Sequence, residues 1–177
     1  MGYSRIPKQL DHPSMSDIVS VFAEYSIEEY LNIGNIHNKL SFADILVQMV
    51  DSVEEIHSHG FIHQNIKPDN FRVMNNRVIL MDFGLAYKYP EPDVRYKNLW
   101  SREIEGTPFY ASVKALQGYS QGPGSDISSI GFSILKLMNP EISKIPWASL
   151  KKDAHLKEFL KLKCEFLKLD GGDDYFE

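Results

Sequence analysis

The stretch Phe61–Gly84, FIHQNIKPDNFRVMNNRVILMDFG, constrains the fold of this chain more than any other. Its first part, Phe61 to Asn70, gathers an imidazole, a lysine and several amide and acid groups around Pro68. These are too many polar heads for a core strand, and the proline argues against a helix interior, so the segment reads as a loop. Two short apolar runs follow, Phe71 to Met74 and Val78 to Met81, joined through Asn75-Asn76. Asn tolerates the φ > 0 positions of tight turns, so the two runs read as a hairpin. Asp82, Phe83 and Gly84 end the second strand and carry a carboxylate back to the lysine-bearing loop. Lys67, the amide of Asn70 and the carboxylate of Asp82, converging on one point, suit a metal-chelated phosphate. The oxygens would serve magnesium and the ammonium would serve anionic oxygens.

The helix signals stand on either side. Ser41 opens the clearest of them, with Phe42, Ile45, Leu46, Met49, Val50, Val53 and Ile56 on one apolar stripe. Asp44 lies three residues after Ser41 in the manner of a capping box, and Gly60 stops the helix just before the loop. Upstream, Ile18 to Tyr25 is a strand by its β-branched and aromatic content, and Ser26 to Ile33 fits a short helix. Downstream, Gly118 to Gly124 reads as a turn and Ser125 as the N-cap of a helix. Ile127, Ile130, Phe132, Ile134, Leu135 and Met138 make that helix apolar over much of its circumference, hence buried. Asp126 enters this apolar segment and must find hydrogen-bond donors. A last helix, Leu156 to Leu169, sets Leu156, Phe159, Leu160, Cys164 and Leu167 on one face. That face reads as packed on the domain's own core, with a partner-docking helix as the alternative.

Composition narrows the class. At 177 residues and 43% hydrophobic content the chain is one globular domain rather than two. A net charge of -5 with dispersed lysines gives no support to nucleic-acid binding. The single cysteine, Cys164, excludes an intrachain disulfide framework and points to a reducing compartment, so an intracellular, cytoplasmic or nuclear location is expected. No signal peptide or membrane-spanning run is seen.

Phe61–Gly84 resembles the catalytic and metal-binding loops of a eukaryotic protein kinase. That family signature is matched here to known motifs and does not follow from spacing alone. Its H-R-D-x-K-x-x-N stands as His63-Gln64-Asn65-Ile66-Lys67-Pro68-Asp69-Asn70, and its D-F-G as Asp82-Phe83-Gly84. Gly106-Thr107-Pro108-Phe109-Tyr110-Ala111-Ser112 resembles the end of an activation segment in the G-T-x-x-Y-A-S form of the casein-kinase-I group. Asp82–Tyr89 and Pro146-Trp147 are also similar to that group, the former especially to its vaccinia-related-kinase branch. The resemblance covers roughly Ile18 to Trp147.

It implies a mainly α fold with a few short β-strands (α+β), the C-terminal lobe of a kinase with its N-lobe largely absent. Residues 1–16 would be an irregular segment, 17–169 the lobe, and 170–177 an acidic tail. It implies ATP and magnesium, with Lys67 as a catalytic and nucleotide-contacting residue and Asn70 and Asp82 as nucleotide and metal ligands. His63 would pack beneath Phe83, Asp126 would hold the backbone of the catalytic loop, and Thr107 would order the loop beside the substrate.

Two features depart from the pattern. Asn65 occupies the place of the catalytic aspartate, and Gln64 that of the arginine that meets an activation-loop phosphate. The residues before Asp17 contain no glycine-rich phosphate loop and no lysine-bearing strand, so nucleotide binding is expected to be weak. The first expectation is therefore a catalytically impaired kinase lobe acting through a protein partner. A second is part of a serine/threonine kinase that is active on protein substrates when complete. A third, unrelated to kinases, is a zinc hydrolase built on His57, His59, His63 and Asp82.

Overall fold

A computed structural model of the chain describes residues 25–34, 39–88, 104–139, 141–151 and 156–169. The expected strand Ile18–Tyr25 lies outside them except for its last residue, as do the N-terminal segment and the acidic tail. The described part is mostly helical with short strands. In order it runs β1 (Tyr25–Ser26), α1 (Ile27–Asn32), α2 (Phe42–Ser58), β2 (Phe61–Ile62), β3 (Phe71–Met74) and β4 (Arg77–Leu80). Then follow β5 (Tyr87–Lys88), α3 (Val113–Leu116), α4 (Pro123–Met138) and α5 (Leu156–Leu167). No helix among the described residues is long and apolar enough to cross a membrane.

Local chemistry accounts for where these elements begin and end. Ser41 Oγ accepts from Asp44 N at 3.1 Å while Ser41 N donates to the Asp44 carboxylate at 2.9 Å, so the two residues cap α2 reciprocally. Ser26 and Glu29 do the same for α1. Past α2, Gly60 takes φ +77°, a left-handed conformation that stops the helix and turns the chain into β2. Asn75 and Asn76 both have positive φ, 50° and 57°, as a two-residue hairpin turn requires. The hairpin pairs Phe71 with Leu80 and Val73 with Val78, and β1 joins on the far side with Tyr25 opposite Val73. β2 pairs separately with β5, Ile62 opposite Tyr87.

Two apolar clusters form the interior. One gathers Ile27, Tyr30, Ile45, Met49, Val53, Ile56, the hairpin residues Phe71, Val73, Val78 and Leu80, and Ile66 of the loop. The other gathers Tyr110, Leu116, Phe132, Ile145, Trp147, Phe159 and Leu160. α4 serves both, sending Ile130 into the first and Phe132 into the second. This is why a helix in the middle of the chain organises both sides.

Three expectations are corrected. The N-cap of α4 is Gly122, not Ser125; Ser125 sits inside the first turn, where its Oγ accepts from Gly122 N at 3.4 Å. α4 is not buried all round: Ile127 and Met138 are exposed, and its inner face is made of Ser125, Asp126, Ser129, Ile130, Phe132 and Ser133. Small hydroxyls satisfied within the helix let it approach its neighbours closely, Ser129 and Ser133 each bonding the carbonyl four residues back. On the stripes of α2 and α5, Val50 and Leu167 face outward.

Candidate functional site

The loop after β2 is pinned from α4. Asp126, almost fully buried, accepts from His63 N at 2.8 Å and Gln64 N at 2.9 Å, and His57 Nε2 lies 2.9 Å from the same carboxylate. Those donors answer the need of an acid in an apolar segment. They also hold Gln64 at φ 64°, a conformation that a side chain with a Cβ adopts only when its surroundings enforce it. Gly106 lies against that residue: a Cβ on Gly106 would come within 2.3 Å of the Gln64 carbonyl oxygen, and its φ is +95°. The glycine therefore lets the 104–112 segment touch the loop.

His63 is fully buried and its ring packs edge-on to Phe83, centroids 5.1 Å apart. Its Nε2 lies 2.9 Å from the Met81 carbonyl oxygen. Burial pulls its pKa below the ordinary 6.5, against the opposing pull of the Met81 carbonyl and the charges of Asp126 and Asp82. The imidazole thus joins the loop to the end of β4 and does not serve as a metal ligand. His57 is engaged with Asp126, and His59 Nδ1 with the Glu55 carbonyl at 2.8 Å. Among the described residues no three His, Cys, Asp or Glu side chains are grouped to hold a metal ion, so the zinc arrangement is not formed.

The other sequence-selected residues come together through the backbone. Asn70 N donates to the Lys67 carbonyl at 3.0 Å, closing the short turn Pro68–Asn70 that Pro68 starts. Asn70 Nδ2 donates to the Asn65 carbonyl at 2.8 Å, and Met81 N to the Asn70 carbonyl at 2.8 Å. Asn70 is buried, so this amide ties loop and hairpin into one unit and leaves Oδ1 as its acceptor. Asp82 follows at once, exposed and in the left-handed region at φ 61° and ψ 68°. Among the described residues neither the Lys67 ammonium nor the Asp82 carboxylate is tied to another side chain by a hydrogen bond or ion pair. Asn65 Oδ1 accepts from Thr107 Oγ1 at 3.1 Å.

Oxygen donors on Asn70 and Asp82 suit a hard cation such as Mg²⁺, which takes one or two protein oxygens and completes its shell with phosphates and water. The donor set fits; such an ion would neutralise phosphate charge when bound.

Sequence reasoning missed Lys163. It stood among the flanking lysines of the last helix, yet it is fully buried, with Nζ 2.5 Å from the Ala111 carbonyl and 3.2 Å from that of Pro108. Its spacing hints at this: Lys163 stands seven residues after Leu156, four after Phe159 and three after Leu160, on the apolar stripe itself. The partnership of His57 with Asp126 was also missed, since nothing local marks a contact across 69 positions.

Comparison with known proteins agrees with these motifs. Residues 5–170 match the family model described as the protein kinase domain. The chain is similar to a probable casein kinase I homolog of Encephalitozoon cuniculi (strain GB-M1), 33% identical over 121 residues. That alignment takes in 66% of this chain and 38% of the relative, so the chain spans well under half of that protein's length. A family match over almost the whole chain, on a loop whose internal bonds join both motifs, leads to one conclusion: the chain belongs to the protein kinase domain family.

Proposed function

We propose that this chain is the C-terminal lobe of a casein-kinase-I- or vaccinia-related-kinase-like domain, impaired in phosphoryl transfer, that acts by binding a protein. The lobe would span residues 17–169, between the irregular segment 1–16 and the acidic tail 170–177, in an intracellular protein. One observation carries this reading: Asn65 occupies the base position, its Oδ1 engaged by Thr107, on a loop held by Asp126. An amide can orient a hydroxyl but is a very poor base, and general base catalysis contributes roughly 10²–10⁴-fold. Lys67 would contact the terminal phosphate of ATP, while Asn70 and Asp82 would offer oxygens to Mg²⁺.

A second reading is supported by the intact set Lys67, Asn70 and Asp82: part of a serine/threonine kinase that transfers phosphate to protein when complete. One pair of measurements separates the two. A thermal shift with ATP and Mg²⁺, absent from Asp82→Ala, is expected if the half-site still binds; at a hundredfold excess over Kd the gain is about 2.7 kcal/mol. Incorporation of labelled phosphate into a mixed Ser/Thr peptide library is then measured for the chain and for Asn65→Asp, each joined to a donor upper lobe. A rise of at least about 10²-fold in Asn65→Asp supports the impaired reading. Equal, substantial transfer by both would sink it and favour the second.

A further inference from the structure

Lys163 is a buried amine with no carboxylate partner among the described residues. Its Nζ donates to the Pro108 and Ala111 carbonyls and lies 4.0 Å from the ring centroid of Phe132 and 5.3 Å from that of Trp147. The carbonyls belong to a turn that Tyr110 N and Ala111 N close on the Thr107 carbonyl at 2.9 and 3.1 Å. Thr107 Oγ1 in turn holds Asn65. A continuous path of contacts therefore runs from α5 through the 107–111 turn to the base position.

The groups around this ammonium are dipoles and ring faces, which soften the burial of a charge but do not replace a carboxylate. From the turn the titratable neighbour is Tyr110, and from α5 it is Cys164. Burial pushes both pKa values up, so neither is charged near neutrality. Lys157, Glu158, Lys161 and Glu165 of α5 are exposed, and α4 offers Asp126, which is taken by His57 and the loop amides. From the 141–151 segment the facing group is the Trp147 ring, with Lys144 and Lys151 exposed. Burial accordingly lowers the Lys163 ammonium from 10.5 to about 7.

We propose that Lys163 is a positioning residue for the Thr107–Asn65 contact and that a proton operates it. Neutral, it stays buried and keeps the 107–111 turn on α5. Protonated, it favours the arrangement in which turn and helix part and the ammonium reaches water. The sign follows from linkage. The parted form holds its proton up to about 10.5 and the closed form only to about 7, so parting becomes easier as the pH falls through that window. The effect is complete below it.

Amide hydrogen exchange on the full chain, corrected for intrinsic rates, tests this between pH 6.5 and 9.5. Tyr110 and Ala111 are expected to be less protected than Met49 and Val53 of α2, which marks a local opening. Their protection should rise by up to about tenfold per pH unit above 7, and the Asn65 side-chain amide resonance should shift over the same range. Lysine ¹³Cε NMR of the wild-type chain should show one lysine titrating near neutrality. Lys163→Met, similar in length and uncharged, should abolish both that signal and the slope. Protection of Tyr110 and Ala111 equal to that of α2 would overturn the proposal, because the turn would then open only with the whole chain. So would a wild-type chain with no lysine titrating below about pH 9, a result that does not depend on the variant folding.

Discussion

Asp126 governs the geometry of the loop more than any residue within it. Removing its carboxylate strands two loop amides and a histidine, and an unsatisfied buried donor costs about 1–3 kcal/mol. Asp126→Ala is therefore expected to lower unfolding stability by about 3 kcal/mol or more in urea titrations, and to release Gln64 from its positive φ, visible in its backbone chemical shifts. Gly106 makes the complementary prediction. Gly106→Ala sets a methyl within 2.3 Å of the Gln64 carbonyl at φ +95°, so a loss of about 2 kcal/mol and a broken Thr107–Asn65 contact are expected. The same urea titration checks the first, and the Asn65 side-chain resonance the second. Asn65 itself needs no rearrangement to become an acid, because aspartate can accept the Thr107 hydrogen bond that the amide oxygen now takes. At this scale the sequence told which residues matter. It could not tell that Gln64 is left-handed, because glutamine has no local preference for that region and a carboxylate 62 positions away enforces it.

The elements were most legible where capping and periodicity agree. Ser41, Asp44 and the stripe Ile45, Met49, Val53, Ile56 mark α2 without ambiguity, since each signal is local to the chain. Ser41→Ala removes one half of the cap and should cost about 1 kcal/mol in thermal or urea unfolding, with no change at the loop beyond it. The hairpin was legible for the same reason, two asparagines between two short apolar runs, and both asparagines take the positive φ such a turn requires. α4 misled because apolar count stood in for burial. Its inward face is serine-rich, and its exposed Ile127 and Met138 lie where no neighbour covers them among the described residues. Periodicity finds a helix, but which side is buried depends on what arrives to pack against it.

At the scale of the molecule, two apolar clusters share one helix, so damage to either should reach the loop. Phe132→Ala opens the second cluster beneath Trp147, whose ring it meets edge-on at 5.4 Å, and should cost about 3–5 kcal/mol. Part of that loss should appear as weakened exchange protection at His63 and Gln64, because Asp126 rides on the same helix. The histidine at the centre adds a pH dependence. His63 has a folded pKa below the 6.5 of the free imidazole, so the unfolded chain takes up that proton first. Its contribution to stability is complete above about 6.5 and is lost as the pH falls through the depressed value. Urea midpoints should drop between pH 7 and 5, and His63→Phe should flatten that slope.

The sequence by itself determined the family, the loop and its candidate ligands, the hairpin, and the helix that precedes them. Motifs, turn residues and caps act over a few positions, and their chemistry is written next to them. Tertiary structure alone decided the fate of the buried polar groups. It set His57 beside Asp126, whose hold on the loop the kinase resemblance had already implied, laid Gly106 on Gln64, and enclosed Lys163 between two carbonyls and two rings. A buried charge or a strained backbone is tolerable only when distant partners satisfy it, and no local pattern reports who those partners are.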